Sequence, residues 1–204
     1  MEKTEAIIFD LGAVILDIDY NLTRSAFEKL GVRNFDEMYS QKSADMLFRN
    51  LETGKISEEN FYIELNNCTG LQLSPAEIKQ AWCAMLLHFR EKSLLFLDEL
   101  KAKYRLFLLS NTNHIHIPEF NKMYHEKKRE KPFAEFFEKA YYSSEMGLRK
   151  PDAECYEWVL KEQNLDPGKT IFIDDSLQNV EAARSVGMQA IWLEPGMYIE
   201  DLDL

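Results

Sequence analysis

The sequence predicts an α/β protein built on a doubly wound parallel sheet, with a helical segment inserted early in the chain. Short apolar runs, rich in β-branched and aromatic residues and too brief for helices, recur along the sequence. Segments with helical apolar spacing separate them, the alternation of a parallel sheet covered by helices. Between the first run and the second lies a long stretch, residues 21 to about 90, whose patterning is helical throughout.

The first run is Ala6-Ile7-Ile8-Phe9, ending at Asp10 and followed by Leu11 and Gly12. It reads as a fully buried strand. Burying an unpaired carboxylate is costly. At the carboxyl end of a parallel strand, however, the side chain reaches the crevice where open α/β sheets bind ligands. Asp10 is therefore a candidate working carboxylate, with a strand-ending turn residue as the alternative. Leu16 to Tyr20 reads as a loop or short hairpin.

The helical stretch carries its own punctuation. Leu22, Phe27 and Leu30 share a face, and Gly31 stops that helix. Ser57 opens another, with Asn60 where a complete capping box would have Glu or Gln. Ser74-Pro75-Ala76-Glu77 has the full signature: an N-cap serine, proline at the first helical position and Glu three residues after the cap. Trp82, Met85 and Phe89 fall at helical spacing and are expected to pack in a core. The division expected is a core of residues 1–16 and 91–204, with residues 17–90 as a helical cap.

From residue 91 the alternation resumes. Leu94, Leu97 and Leu100 form a helical stripe before the strand Arg105–Leu109, which ends in Ser110-Asn111-Thr112-Asn113. Residues 119–137 are polar, a helix and loop. A weaker strand, Lys139–Tyr142, leads to Gly147-Leu148-Arg149-Lys150-Pro151, and a helix follows from Asp152 to about Gln163. The strand Thr170–Ile173 ends in Asp174-Asp175-Ser176. Ser176 is expected to cap the helix 177–186, and Gly187 to end it. Residues 189–193 form a fifth strand.

Composition narrows the partners. The 204 residues are 46% hydrophobic and 29% charged, as in ordinary globular domains. A net charge of −11 argues against a nucleic-acid binder. Three scattered cysteines, Cys68, Cys83 and Cys155, make neither a disulfide framework nor a zinc site and fit a reducing cytoplasm. The sequence has no signal-peptide pattern and no run long enough to span a membrane.

The strand ends carry the chemistry. Asp10, Ser110 with Asn111, Lys150, and Asp174 with Asp175 all fall at or just beyond the carboxyl ends of parallel strands, so they converge on one edge. Three carboxylates in one crevice raise one another's pKa and require positive charge. Lys150 supplies part of it, and a hard divalent ion such as Mg²⁺ suits oxygen ligands. A carboxylate, a hydroxyl, a lysine and such an ion suit phosphoryl transfer through an aspartyl-phosphate.

This ordered set resembles the haloacid-dehalogenase superfamily, mostly magnesium-dependent phosphatases. The resemblance rests on Asp10, Leu108-Leu109-Ser110-Asn111, Gly147-Leu148-Arg149-Lys150-Pro151 and Ile171-Phe172-Ile173-Asp174-Asp175, and it covers the whole chain. Within it, Gly12 and Leu109-Ser110-Asn111-Thr112-Asn113 are similar to a small bacterial branch that hydrolyses α-D-glucose 1-phosphate. The resemblance implies a small phosphorylated metabolite as substrate. It implies Asp10 as nucleophile and metal ligand, with the Gly12 carbonyl and Asp175 completing the Mg²⁺ contacts and Asp174 as an outer or alternate ligand. It further implies that Leu11, Gly12, Ser110, Asn111 and Lys150 hold the phosphate, with Ser110 and Lys150 catalytic.

Gly12 departs from the pattern, since most phosphatases of this superfamily have a second aspartate there as general acid and base. Dehalogenases also lack it, but they use no metal and lack paired acids at the last motif, so Asp174-Asp175 favours the phosphatase. A non-catalytic phosphometabolite-binding protein is a further alternative. Asp17 and Asp19 could supply the proton but read first as solvated loop acids. Gly168-Lys169-Thr170 precedes a strand instead of opening a helix, so it is not a phosphate-binding P-loop. His114 and His116 read as surface or substrate-side residues, and Lys127-Lys128-Arg129-Glu130-Lys131 as a solvated charged face.

Overall fold

The computed structural model describes residues 3–33, 35, 42–127, 129 and 131–204. Five strands form one parallel sheet: β1 (Ala6–Phe9), β4 (Arg105–Ser110), β5 (Lys139–Tyr142), β6 (Thr170–Asp174) and β7 (Gln189–Trp192), in the order β5-β4-β1-β6-β7. β1 is central, pairing in parallel with β4 through Ile7↔Leu106 and with β6 through Ile7↔Ile171. Both edges of β1 are satisfied by the ladder and both faces are covered, which is why its apolar run has no polar alternation.

The pleat sends alternate β1 side chains to two hydrophobic clusters. Ile7 and Phe9 pack with Leu94, Leu97 and Leu100 of α5 (Glu91–Leu100) and with Phe120 and Tyr124 of α6 (His116–Glu126). Ala6 and Ile8 pack with Cys155, Tyr156 and Val159 of α8 (Ala153–Glu162) and Ala183 of α9 (Leu177–Ser185). Helices thus cover both faces of the sheet, the doubly wound arrangement that the alternation predicts.

A third cluster belongs to the inserted helices α1 (Tyr20–Lys29), α2 (Lys42–Glu52), α3 (Glu58–Thr69) and α4 (Pro75–Cys83). It is aromatic: Phe48 stacks on Trp82 at 5.0 Å and Phe27 on Phe35 at 5.0 Å. Ile115, from the start of α6, joins this cluster and ties it to the sheet domain. The caps follow the sequence. Ser74 and Glu77 form the reciprocal box, whereas Ser57 accepts only the Asn60 amide, at 3.2 Å. Gly70 ends α3 at φ +69°, a left-handed position that favours glycine.

The structure corrects four expectations. The stretch to residue 90 is not wholly helical: β3 (Leu86–Phe89) pairs antiparallel with β2 (Leu16–Ile18), so the two crossings into and out of the insertion form a ribbon. Met85 and Phe89 therefore lie outside α4, which ends at Cys83. Phe89 packs instead in the sheet-domain core, 4.8 Å from Phe133 and 5.2 Å from Tyr124. Ser176 stands at the N-cap of α9 without a side-chain cap bond, and its backbone amide donates to Asp174 Oδ1 at 2.8 Å. Finally, Arg129 is not on a solvated face: it lies over the Tyr124 ring at 4.5 Å and, with Lys127, pairs with Glu91. Lys128 and Glu130 lie outside the described residues. Among the described residues no helix is long and apolar enough to cross a membrane.

Candidate active site

Four segments deliver the predicted residues to one edge of the sheet. Asp10 directly follows β1, Ser110 ends β4, Asp174 ends β6, and Lys150 lies beyond β5 and the single helical turn α7 (Ser143–Met146). The Lys150 side chain is 1% exposed, and its Nζ donates to Asp10 Oδ1 at 2.5 Å and to Asp174 Oδ2 at 2.7 Å. Burial alone would lower the ammonium pKa, but the two carboxylates more than reverse this and raise it.

The three acids are not equivalent. Asp174 is fully buried and saturated: beyond Lys150, both of its oxygens accept from Asn179 Nδ2 at 3.1 Å, and Oδ1 accepts the Ser176 amide. Burial, and secondarily Asp174, pushes the Asp10 carboxyl up to about 7 against the opposing pull of Lys150. Asp175 is exposed at the site, and its carboxyl is also raised, by desolvation and by Asp174. One oxygen from each of the three acids can be chosen so that all lie within 4.8 Å of one another. A hard-oxygen set of this spacing, still short of positive charge beside Lys150, fits a divalent ion such as Mg²⁺.

Asn111 braces the lysine. Its Oδ1 accepts the Lys150 amide at 2.9 Å and its Nδ2 donates to the Lys150 carbonyl at 2.8 Å. Ser143 Oγ accepts the Thr112 amide and donates to the Thr112 carbonyl, fixing the loop after Ser110. A cavity of about 580 Å³ opens above Asp10, Leu11, Gly12 and Ser110. Ile18, Trp82 and Met85 are among its apolar lining, Arg24, Glu52 and Arg149 among its polar lining.

The acids considered as substitutes at Gly12 are committed elsewhere. Asp17 pairs with Arg90 at 2.6 Å and His88 at 3.2 Å, and Asp19 caps α1 through the Asn21 amide at 2.9 Å. Neither lines the cavity. A Cβ built on Gly12 would stand 2.9 Å from Ile18 Cδ1, so an apolar side chain occupies the neighbourhood of the missing carboxylate.

His114 is exposed, whereas His116 is buried and lines the cavity. His116 stacks on Trp82 at 5.2 Å, with Nε2 3.1 Å from the Trp82 carbonyl and Nδ1 3.3 Å from Asn113 Nδ2. A neutral ring serves both contacts, donating to the carbonyl and accepting from the amide. Burial depresses its pKa to about 4. The unfolded chain binds a proton near pH 6.5 that the folded chain refuses, so stability falls as pH drops from about 6.5 towards 4. Between pH 7 and 5 the wild type should lose about 2 kcal/mol more than His116→Gln in urea unfolding. Equal losses would show that the ring protonates freely in the fold.

Asn179 was not anticipated as a site residue, whereas His116 takes the substrate-side one of its two expected placements. Asn179 stands five positions after Asp174, an offset at which the first turns of a helix return to the strand end, and only that offset hinted at it.

Comparison with known proteins agrees with this geometry. Residues 4–187 match the haloacid dehalogenase-like hydrolase family. The chain is 31% identical to a D-ribitol-5-phosphate phosphatase of Bacteroides thetaiotaomicron, over 93% of this chain and 92% of the relative. It is 32% identical to a sesquiterpene phosphatase of Aspergillus oryzae, over 93% and 89%. A HAD family enzyme of Bacteroides thetaiotaomicron, crystallised with magnesium and inorganic phosphate, superposes with a TM-score of 0.87 at 30% identity, covering 98% of this chain and all (100%) of that one. With the match spanning both the sheet and the inserted helices, the chain belongs to the haloacid dehalogenase-like hydrolases.

Proposed function

We propose that this hydrolase is a Mg²⁺-dependent phosphatase of small phosphomonoesters, foremost sugar phosphates such as glucose 1-phosphate, acting through an aspartyl-phosphate on Asp10. The observation that carries the reading is the Asp10–Lys150–Asp174 cluster under a cavity, with Asp175 beside it. Phosphatases among the relatives, one of them named for a polyol phosphate, support the substrate class.

In this reading Asp10 Oδ attacks phosphorus, the P–O bond to the alcohol breaks, and water then cleaves the acyl phosphate to regenerate the carboxylate. Asp10, the Gly12 carbonyl and Asp175 would hold Mg²⁺, which neutralises charge on the phosphoryl oxygens when bound. Asp174 fits better as the acceptor that orients Lys150, since its lone pairs are already engaged. Leu11, Ser110, Asn111 and Lys150 would surround the phosphate. The helices between residues 17 and 90 serve as the cap that excludes water over it.

Ile18 beside Gly12 bears on the ester chosen. A positioned general acid contributes on the order of 10²–10⁴ in rate. Without one at this position, the alcohol must depart with more negative charge, and an anomeric oxygen carries it better than a primary one. A phosphatase screen with and without chelator tests the reading. Activity should vanish without Mg²⁺, and kcat for glucose 1-phosphate should exceed that for glucose 6-phosphate by about tenfold or more. Gly12→Asp, which must displace Ile18, should narrow that gap. Chelator-resistant turnover of a haloacid would make the protein a dehalogenase, and equal kcat values with chemistry rate-limiting would remove the leaving-group argument.

A further inference from the structure

The Arg149–Lys150 segment is held from two directions. The sheet holds Lys150: Asn111 brackets its peptide, and Asp10 and Asp174 grip its ammonium. The insertion holds the preceding residue, through an ion pair of 3.0 Å between Arg149 Nη2 and Glu52 Oε2 at the end of α2. These side chains are only 23% and 17% exposed, and both line the cavity. Among the described residues Arg149 Nε is buried without an acceptor, while its Nη2 faces Glu52.

The same end of α2 seats on the sheet domain at two further points. Arg49 pairs with Asp152 at 2.8 Å, but both side chains are almost half exposed, so solvent screens the contact. Gly54 lies so close to Ser144 that a Cβ there would be 2.1 Å from the Ser144 carbonyl oxygen, and its φ of +65° also favours glycine. The seat thus brings the insertion onto residues 144–152, the segment that contains Lys150.

We propose that Glu52 and Arg149 are a positioning pair for Lys150, making the lysine's placement between Asp10 and Asp174 conditional on the seating of the inserted helices. Neither residue needs to touch the reacting atoms. Glu52 fixes Arg149, and Arg149 fixes the backbone from which Lys150 reaches inward. Loosening that anchor shifts the ammonium, and a misplacement of about 1 Å can cost about 10²-fold in rate.

The test uses the full chain with Mg²⁺ and p-nitrophenyl phosphate, whose leaving group lacks the hydroxyls a cap could recognise. Glu52→Gln keeps the shape and removes the charge. It should lower kcat by about 10- to 100-fold, with KM changing less than about threefold. Circular dichroism at the assay temperature verifies that the variant is folded. Arg149→Gln should show a similar loss, and the double variant should be no slower than the slower single variant, because the two act as one unit. If Arg149→Gln does not fold, Arg149→Lys, which keeps the charge but loses the fork, takes its place. An unchanged kcat in Glu52→Gln, a loss confined to KM, or multiplying losses in the double variant would overturn the proposal. Because it rests on the phosphatase reading, a wild type inert on every ester would overturn both, whereas an active wild type beside an unaffected Glu52→Gln overturns the positioning pair alone.

Discussion

Asp10→Asn should abolish turnover, with a loss on the order of 10⁴-fold or more, while leaving the fold intact. The amide is nearly isosteric with the carboxylate but is not a competent nucleophile. Its surroundings also tolerate the change. Lys150 keeps Asp174 as a partner at 2.7 Å, so the ammonium is not stranded. Burial and Asp174 make the Asp10 charge unfavourable, pushing its carboxyl up to about 7, and a neutral amide removes that burden. The metal-free variant should therefore melt no lower than the metal-free wild type near pH 8. Acid quenching of the wild type with labelled ester should trap phosphate on the protein, and the variant should trap none. Substantial residual turnover in a preparation free of contaminating phosphatase would rule out the covalent route.

The sheet was legible because its three inner strands, β4, β1 and β6, are buried on both faces. A continuous run such as Ala6–Phe9 has no helical interpretation at that length, and the three inner runs stop at Asp10, Ser110 and Asp174, where the crevice begins. The site was legible for the same reason: Asp10, Ser110 and Asp174 stand out as polar groups at the ends of apolar strands. The β2–β3 ribbon was not. Leu86 and Leu87 are at least partly exposed and His88 faces solvent, so the apolar pattern has no clean period of two. The spacing of Trp82, Met85 and Phe89 then imitates a helix, although the first packs in the insertion and the last in the sheet domain. The sequence left His116 between a surface and a substrate-side placement because its burial depends on the carbonyl of Trp82, 34 positions earlier, which no local pattern reports. Likewise the opposite fates of Asp174 and Asp175 follow from the pleat. One side chain turns inward onto Lys150 and Asn179, while the next is left at the mouth of the site.

Lys150→Met should be damaging in two separable ways. The ammonium neutralises two carboxylates in a site where its own side chain is 1% exposed. Removing it leaves Asp10 and Asp174 facing each other without a counter-charge, and breaking a buried pair in this way costs about 3–5 kcal/mol. The apparent melting temperature should fall markedly in chelator. Mg²⁺ should recover more stability for the variant than for the wild type, because the ion then takes over charge compensation that Lys150 supplied. Turnover should fall by on the order of 10²–10³ even where the protein is folded, since a fixed cation aimed at developing charge contributes about that much. The double variant Lys150→Met/Asp174→Asn separates the two effects. With both charges of the inner pair removed, stability should return towards the wild type, as neutral replacement of a whole buried pair is often tolerated. Activity should not return, because the lysine ammonium no longer faces Asp10 and the phosphoryl group. If the double variant regained both, Lys150 would be a structural counter-ion for Asp174. If the single variant lost stability but kept its kcat, the cation at Lys150 would have no part in the phosphoryl step.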